Sequence, residues 1–311
     1  MSEQKGPRGR GAKGPREERR SRMEAPGDEG GAARSLADAA RPYRAAFAAR
    51  FSTLLEYRGA AVAGVATQLW WGGIKVMILA AFYQAGLETA VPLSLSGAIT
   101  YTWTAQALFA LVPWTADPEV VQAVRSGGVS YDNLRPVDAY GFWFARSAGW
   151  LAARALPRAL MLGAAAGFGL RFVGLTAWAW QAPASWAAAL AFVISLGLAL
   201  VVSTAVLMLL NITVVALLDE RGVNALAAPF ILVLSGNLLP LSLYPDGVSQ
   251  LLELSPLAGI LDTPLRIYLG TLSGQAAALG LLLQLFWASV IVLIGRASLA
   301  VALRRLEVQG G

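Results

Sequence analysis

Cysteine and histidine are both absent from this sequence. Without cysteine the chain can form no disulfide and has no thiol nucleophile, and without either residue it cannot build a Cys/His zinc site. Histidine is also the side chain that titrates near neutral pH, so a histidine acid or base is excluded. The sequence further lacks the G-x-x-x-x-G-K-[ST] loop that holds nucleotide phosphates. We therefore predict that the chain is not an enzyme and has no ATP-binding site of its own.

Charged residues are scarce, at 14% of the chain against 56% hydrophobic residues. Residues 59–116 contain only two charged side chains, Lys75 and Glu88, and residues 172–218 and 267–295 contain none. Each of these runs is longer than the roughly 20 apolar residues that cross a bilayer as a helix. The sequence therefore predicts an all-α membrane protein with several spans.

The apolar runs divide into six predicted transmembrane helices. The predicted spans are residues 59–83, 93–114, 148–173, 184–217, 223–242 and 275–302. Of the 25 lysine and arginine residues, 13 lie at or before Arg58, and five more lie between Arg125 and Arg158. Because basic residues are retained on the cytoplasmic side, this distribution predicts that both termini are cytoplasmic.

The chain ends differ in composition from the predicted six-span domain at residues 58–305. Residues 1–35 are rich in Gly, Pro, Arg and Glu, which predicts a disordered basic tail. This tail could contact anionic lipid or nucleic acid, but a solvated tail is the simpler interpretation, and we predict no nucleic-acid partner. Within residues 36–57 apolar side chains recur at helical spacing, with basic side chains on the opposite face. This pattern predicts an amphipathic helix on the membrane surface. Residues 306–311 form a short C-terminal tail.

A polar stretch from Thr115 to Trp150 is the longest charge-bearing interruption between the apolar runs. Asp117 and Pro118 are typical of a helix start, and Gly127 with Gly128 is typical of its end, so a short helix is predicted between them. A turn is predicted from Asp132 to Pro136. The stretch is either an ordinary polar loop or a docking element that receives force from a soluble partner.

A second irregular region lies on the predicted outer side. Residues 247–270 are too charged to span the bilayer and too apolar for an open loop, which predicts short re-entrant helices between spans five and six. Such helices border a transport path in some proteins and only seal the helix bundle in others. In the third span, the sequence from Gly163 to Gly167 predicts a small-residue surface that a neighbouring helix could approach closely.

Three polar side chains inside the predicted spans are candidates for a translocation path: Lys75, Asn211 and Asn237. A charge inside a membrane is costly unless it is paired or hydrated. For Lys75 the simpler interpretation is that its long side chain reaches the outer interface, and for the two asparagines it is hydrogen bonding between helices.

A set of short motifs, in this order and spacing, resembles the membrane subunits of bacterial ABC-2 type transporters. The resemblance covers roughly residues 36–305 and is closest to the branch whose permeases work in pairs with a separate ATPase. The motifs are Leu54-Leu55-Glu56-Tyr57-Arg58, Val124-Arg125-Ser126-Gly127-Gly128-Val129, Asp132-Asn133-Leu134-Arg135-Pro136, Tyr140-Gly141-Phe142-Trp143, the stretch from Gly236 to Pro245, Thr263-Pro264, and Ile267-Tyr268-Leu269-Gly270.

The resemblance implies a permease of the bacterial inner membrane that exports a drug-like, lipidic or polymer substrate. Its partners would be a dimer of ATPase subunits, which would bind the ATP and Mg²⁺, and a second identical or homologous permease. The short polar helix would be the cytoplasmic coupling helix that contacts the ATPase. The implied coupling residues are Asp117, Glu119, Val120, Val121, Val124 and Arg125.

Two other classes of function remain open on the sequence. A secondary transporter would need coupling acids or ion ligands inside its spans, and no interior Asp or Glu can be placed there from the sequence. A membrane scaffold without transport activity would show the same spans and the same distribution of basic residues.

Overall fold

A computed structural model describes residues 28–56, 58–86, 93–129 and 136–306 of the chain. These residues form an all-helical structure in which no β-strand occurs. The predicted tail up to residue 27, most of the turn predicted at 132–136, and residues 307–311 lie outside the described residues. The described α-helices of eight or more residues are α1 Asp28–Leu55, α2 Arg58–Gln84, α3 Leu95–Ala107, α4 Pro118–Arg125, α5 Ala139–Ala164, α6 Trp186–Leu217, α7 Glu220–Leu234, α8 Asp246–Glu253, α9 Asp262–Leu269 and α10 Gly274–Leu306.

The chain divides after Arg41 into two compact units. The first unit, residues 1–41, contributes the start of α1, which begins eight residues before the predicted amphipathic segment at 36. The second unit, Pro42–Gly311, contains the rest of α1 and all the other helices.

Three helices are long and apolar enough to cross a membrane among the residues that the structure describes. They lie at Ala61–Gln84, Trp186–Leu217 and Gly274–Arg304. They match the first, fourth and sixth predicted spans to within a few residues. The 32 residues of α6 correspond to about 48 Å of helix, which exceeds the hydrocarbon core of about 30 Å. The chain is therefore a multi-pass membrane protein.

The other three predicted spans have a less regular structure, so the count of six stays a prediction. α3 has only 13 residues and corresponds to about 20 Å, after which a 3-10 turn forms at Phe109–Leu111. α5 begins at Ala139, nine residues before the predicted span, and carries Arg146, Arg154 and Arg158 along its length. α7 has 15 residues and contains Pro229.

The main hydrophobic core lies where α3 is surrounded by the longer helices. Every residue of α3 from Ala98 to Ala107 is buried. The core joins side chains of α3 to side chains of α6, α9 and α10, among them Val202, Leu265 and Ile291. A short helix buried in protein on all sides does not need the length of a free membrane span, which explains why α3 is short.

The short helices predicted within residues 247–270 are present as α8 and α9. Most of α9 is buried, including Asp262 and Leu265. The Asp262 carboxylate accepts hydrogen bonds from the Tyr101 hydroxyl at 2.8 Å and from the Leu241 backbone amide at 3.2 Å. Protein therefore covers α9, which is the condition under which irregular backbone is tolerated near a bilayer.

Candidate functional site

The short polar helix α4 forms as its sequence predicts. Asp117 is the N-cap, and its Oδ1 accepts a hydrogen bond from the Glu119 amide at 2.9 Å. Pro118 occupies the first helical position, where its missing N–H costs nothing. The helix ends at Arg125, and Gly127 follows with φ of +72°, a conformation that glycine adopts without strain.

Two asparagine side chains fix the start of α4 to the helices behind it. The Asp117 amide donates to Oδ1 of Asn211 in α6, and the Ala116 amide donates to Oδ1 of Asn224 in α7, both at 2.9 Å. These amides precede the helix and have no partner within it, so the asparagines satisfy donors that would otherwise be costly to bury. The entry to α4 is thereby attached to two other helices.

Two carboxylates attach α4 to α1 and α5 as well. Arg50 of α1 forms an ion pair with Asp117 at 3.2 Å and a second ion pair with Glu119. Arg146 of α5 pairs with Glu119 at 2.5 Å. A close approach between α1 and α5 supports this arrangement, because a Cβ atom at Gly149 would lie only 2.6 Å from the Phe47 carbonyl oxygen. We call the set of Arg50, Asp117, Glu119, Arg146, Asn211 and Asn224 the α4 junction.

Burial governs the electrostatics of the α4 junction. Asp117 is only 2% exposed, and this desolvation raises the pKa of its carboxyl above the usual value although Arg50 opposes the shift. Burial likewise lowers the pKa of the Arg50 guanidinium. Because these charges are removed from water, losing Arg50 would leave the buried Asp117 carboxylate without its ion pair, whereas Arg50 would still pair with Glu119 if Asp117 were lost.

The valines of α4 hold the helix to the protein. Val120 is 5% and Val121 is 7% exposed, and each packs into a hydrophobic cluster of this chain. Val124 is partly buried and contacts both clusters. The side chains of Val120 and Val121 are therefore already covered within this chain, and the expectation that they contact an ATPase stays a prediction. The solvent-exposed residues of α4 are Pro118, Glu119, Gln122 and Arg125.

Arg125 adds one more contact between α4 and α7. Its guanidinium donates to the Glu220 carboxylate at 2.5 Å, and Glu220 lies in the first turn of α7. The pair is exposed on the arginine side, so its contribution to stability is small, about 0–1 kcal/mol. Its effect is to orient the end of α4.

The three candidates for a translocation path lie in two different places. The Lys75 ammonium donates to the Asn237 backbone carbonyl at 2.8 Å, so α2 is joined to the segment after α7. Asn211 belongs to the α4 junction, where it is fully buried and also lies 3.5 Å from the Ser147 hydroxyl. The structure thus brings Lys75 and Asn237 together. Asn211 lies apart from them in the α4 junction, where its side chain accepts a hydrogen bond from the start of α4.

Several contact residues could not be identified from the sequence. Arg50 lies in the segment predicted as an amphipathic surface helix, and Asn224 lies in a segment interpreted only as a span. Asp262, in the outer short helices, is a buried carboxylate that pairs with Arg266 at 3.6 Å. Among the described residues, no group of three or more carboxylate side chains is placed to hold a metal ion.

Similarity to known families agrees with this architecture. Residues 69–310 match the family model described as ABC-2 family transporter protein. No curated protein and no solved structure matches the chain significantly. The family match covers most of the chain, including the Lys75–Asn237 contact, the buried α9 and every residue of the α4 junction except Arg50. The chain therefore belongs to the ABC-2 transporter family, whose members are membrane subunits of ABC transporters.

Proposed function

We propose that this chain is the permease subunit of an ABC exporter and that a partner ATPase drives it by displacing α4. The observation that carries the proposal is the attachment of α4 to four other helices through the α4 junction. An exposed helix that is fixed so firmly to α1, α5, α6 and α7 can pass a displacement to all of them.

The exposed side of α4 fits a protein partner better than it fits lipid. It carries Glu119, Gln122 and Arg125, which are polar or charged, while its apolar side faces the protein. A lipid-facing helix would show the reverse pattern. The ATPase would contact these polar residues, and the valines would transmit the movement to the core behind α4.

In this proposal, the displacement of α4 first moves α6 and α7. Asn211 lies near the end of the long apolar helix α6, and it bonds directly to the amide at the start of α4. Asn224 makes the equivalent bond from α7. A displaced α4 would move the ends of both helices, because buried hydrogen bonds of this kind are costly to break. Helix reorientation would then open or close the path.

The remaining parts of the proposal follow from family membership. ATP and Mg²⁺ would be bound by a dimer of separate ATPase subunits, and a second permease, identical or homologous, would complete the path. α2 exposes large apolar side chains, including Trp70, Trp71 and Phe82, that can face lipid or the second permease. The substrate would be drug-like, lipidic or polymeric, exported across a bacterial inner membrane with both termini of the chain in the cytoplasm.

The test uses two matched glutamines on two eight-residue helices. Gln122 in α4 and Gln250 in α8 are both exposed, so tryptophan at either position avoids the core. The permease is purified from its native membranes with its ATPase, and the affinity of the complex and its ATP hydrolysis are measured. We expect Gln122→Trp to weaken ATPase binding about tenfold or more, which corresponds to at least ~1.4 kcal/mol.

Gln250→Trp is expected to bind and stimulate the ATPase as the wild type does. Equal binding and equal hydrolysis in the Gln122→Trp complex would show that α4 is not the docking element. A permease that transports its substrate in vesicles without ATP or any ATPase would favour a secondary transporter. A chain that co-purifies with no ATPase and moves no substrate would favour a scaffold.

A further inference from the structure

A cavity of about 330 Å³ lies at the end of α5, away from α4. It combines a single cationic side chain with aromatic walls and two glycines. Its lining residues are Gly163, Gly167, Phe168, Arg171, Trp180, Gln181, Ala182 and Tyr268. None of these residues belongs to the α4 junction or to the Lys75–Asn237 contact, so the proposed transport mechanism leaves the cavity without a role.

A π-helical turn shapes one wall of the cavity. α5 continues after Ala164 into a π-helical turn at Ala165–Gly169 and a last α-helical turn at Leu170–Phe172. The Ala166 carbonyl accepts a hydrogen bond at 3.0 Å from the Trp180 amide, which belongs to the following loop. Insertions of this type are rare in helices and are concentrated at functional sites.

The two glycines have different environments. A Cβ atom at Gly163 would lie 3.0 Å from the Trp180 ring, whereas nothing lies within 4 Å of the Cβ position at Gly167. The surface of small residues from Gly163 to Gly167 is predicted to contact a neighbouring helix. In the structure the Trp180 ring packs at Gly163 instead, and the space at Gly167 is open. The open space at Gly167 belongs to the cavity.

Hydrogen bonds hold the cation of the cavity in place. Nη2 of Arg171 donates to the Trp180 carbonyl and to Oε1 of Gln181, both at 3.2 Å. The Tyr268 hydroxyl donates to the Gln181 carbonyl at 2.8 Å, which fixes the same loop from α9. Within the described part of the chain Arg171 forms no ion pair with a carboxylate. The guanidinium is thus positioned, and the other nitrogens of its planar fork remain available to an anion.

Large apolar side chains at this end of the helix are strongly exposed. Phe168, which lines the cavity, is 78% exposed, and Phe172, which follows Arg171 in the sequence, is 94% exposed. The sequence that follows Arg171 carries no charge until Asp219. An isolated arginine next to exposed aromatic rings at a helix end is the pattern of a membrane interface, where the rings contact acyl chains and the cation contacts headgroups.

We propose that this cavity binds an anionic phospholipid, with the headgroup phosphate on Arg171 and an acyl chain along Phe168 and Phe172. Phosphate suits the site because the fixed guanidinium can donate charge-assisted hydrogen bonds to it from Nε and Nη1. A whole lipid suits the site better than a free anion, since only an amphiphile contacts both the cation and the exposed aromatic rings. The proposal depends on membrane insertion and not on an ATPase, so it can hold even if the proposed transport function fails.

The test is native mass spectrometry of the purified full-length chain, alone or with any co-purifying subunit, titrated with phosphatidylglycerol or phosphatidylcholine. Two variants alter the site, Arg171→Gln by removing the charge and Gly167→Leu by filling the open space while Arg171 remains. Their matched controls are Arg221→Gln, at another exposed arginine, and Gly197→Leu, where the Cβ position is also open.

We expect the wild type and both controls to retain one phosphatidylglycerol per chain that phosphatidylcholine does not replace. Arg171→Gln and Gly167→Leu should each weaken that binding about tenfold. Equal binding of the two lipids by the wild type, or equal phosphatidylglycerol binding by all five proteins, would overturn the proposal. Complete displacement by millimolar glycerol phosphate would also overturn it, because the site would then recognise a free phosphate group and not a lipid.

Discussion

The Asp117 amide donates a hydrogen bond to the Asn211 side chain at 2.9 Å, across 94 residues of sequence. One partner begins the exposed helix α4, and the other lies near the end of α6. Asn211 is fully buried, and Asp117 is almost fully buried. This contact therefore joins the element proposed to receive force from an ATPase to the long apolar helix α6.

Replacing Asn211 tests this connection directly. We expect Asn211→Ala to destabilise the protein by about 1–3 kcal/mol, because the buried Asp117 amide loses its acceptor. Stimulated ATPase activity should fall as well, since α4 is no longer fixed to α6. Thermal unfolding in detergent and ATP hydrolysis by the purified complex are the two measurements. Thr213→Ala on the exposed side of α6 is the control, and a matching result for both variants would contradict the role of Asn211.

Asp117 makes the stability of the α4 junction dependent on pH. Burial raises the pKa of its carboxyl in the folded protein, so between the ordinary and the raised value the folded state binds more protons than the unfolded state. Its contribution to stability therefore decreases as pH rises through that window and recovers as pH falls. The charged groups around it are Arg50, Glu119, Arg146 and Arg154.

The asparagine of the variant Asp117→Asn does not titrate. Comparing this variant with the wild type therefore isolates the contribution of the Asp117 carboxyl to the pH dependence of stability. We expect the melting temperature of the wild type to rise relative to that of Asp117→Asn as pH falls from neutral to about pH 4, near the ordinary carboxyl pKa. Other carboxylates titrate in both proteins and cancel in the difference. A constant difference in melting temperature over this range would contradict the raised pKa.

The hydroxyl of Tyr101 holds the short outer helices to the core. It donates to the Asp262 carboxylate at 2.8 Å and lies 3.2 Å from the Gly236 carbonyl. We expect Tyr101→Phe to lower the free energy of unfolding by about 1–3 kcal/mol, because a buried carboxylate loses a donor. Tyr244→Phe, on a partly exposed ring, should have little effect. Equal unfolding temperatures for the two variants would show that the Tyr101 hydroxyl is dispensable.

Lys75 and Asn237 are the two candidate path residues that contact each other. Lys75→Met removes the donor to the Asn237 carbonyl, while Lys75→Arg keeps a positive donor at that position. If both residues border the path, the methionine variant should raise the KM for substrate in vesicle transport, and the arginine variant should restore it in part. A KM unchanged in both variants, with only the melting temperature lowered in Lys75→Met, would assign the contact to stability alone.

The ends of several elements could be predicted because local chemistry sets them. Asp117, Pro118 and Gly127 each act on the backbone within a few residues, so the bounds of α4 follow from the sequence. The long apolar runs with few charges likewise determine α2, α6 and α10, since apolar length decides whether a helix can cross a bilayer. The family could also be predicted from the sequence, because its short motifs occur in the expected order along the chain.

Local sequence did not determine which side of each element is covered. Val120 and Val121 could have faced a partner or the chain itself, and only the position of α6 and α7 behind α4 decides that they are buried. Similarly, nothing near Arg50 predicts Asp117 as its partner, 67 residues away. α3 could be short only because other helices surround it.

Composition and local pattern thus determined that this is an all-helical membrane protein with a short polar helix between its apolar segments. Tertiary packing decided which residues connect that helix to the rest, and it placed Lys75 on Asn237 and Tyr101 on Asp262. The physical reason is the separation along the chain over which each kind of interaction acts. Helix capping and hydrophobic length act between neighbours in the chain, whereas the burial and pairing of a polar group depend on what distant segments bring to it.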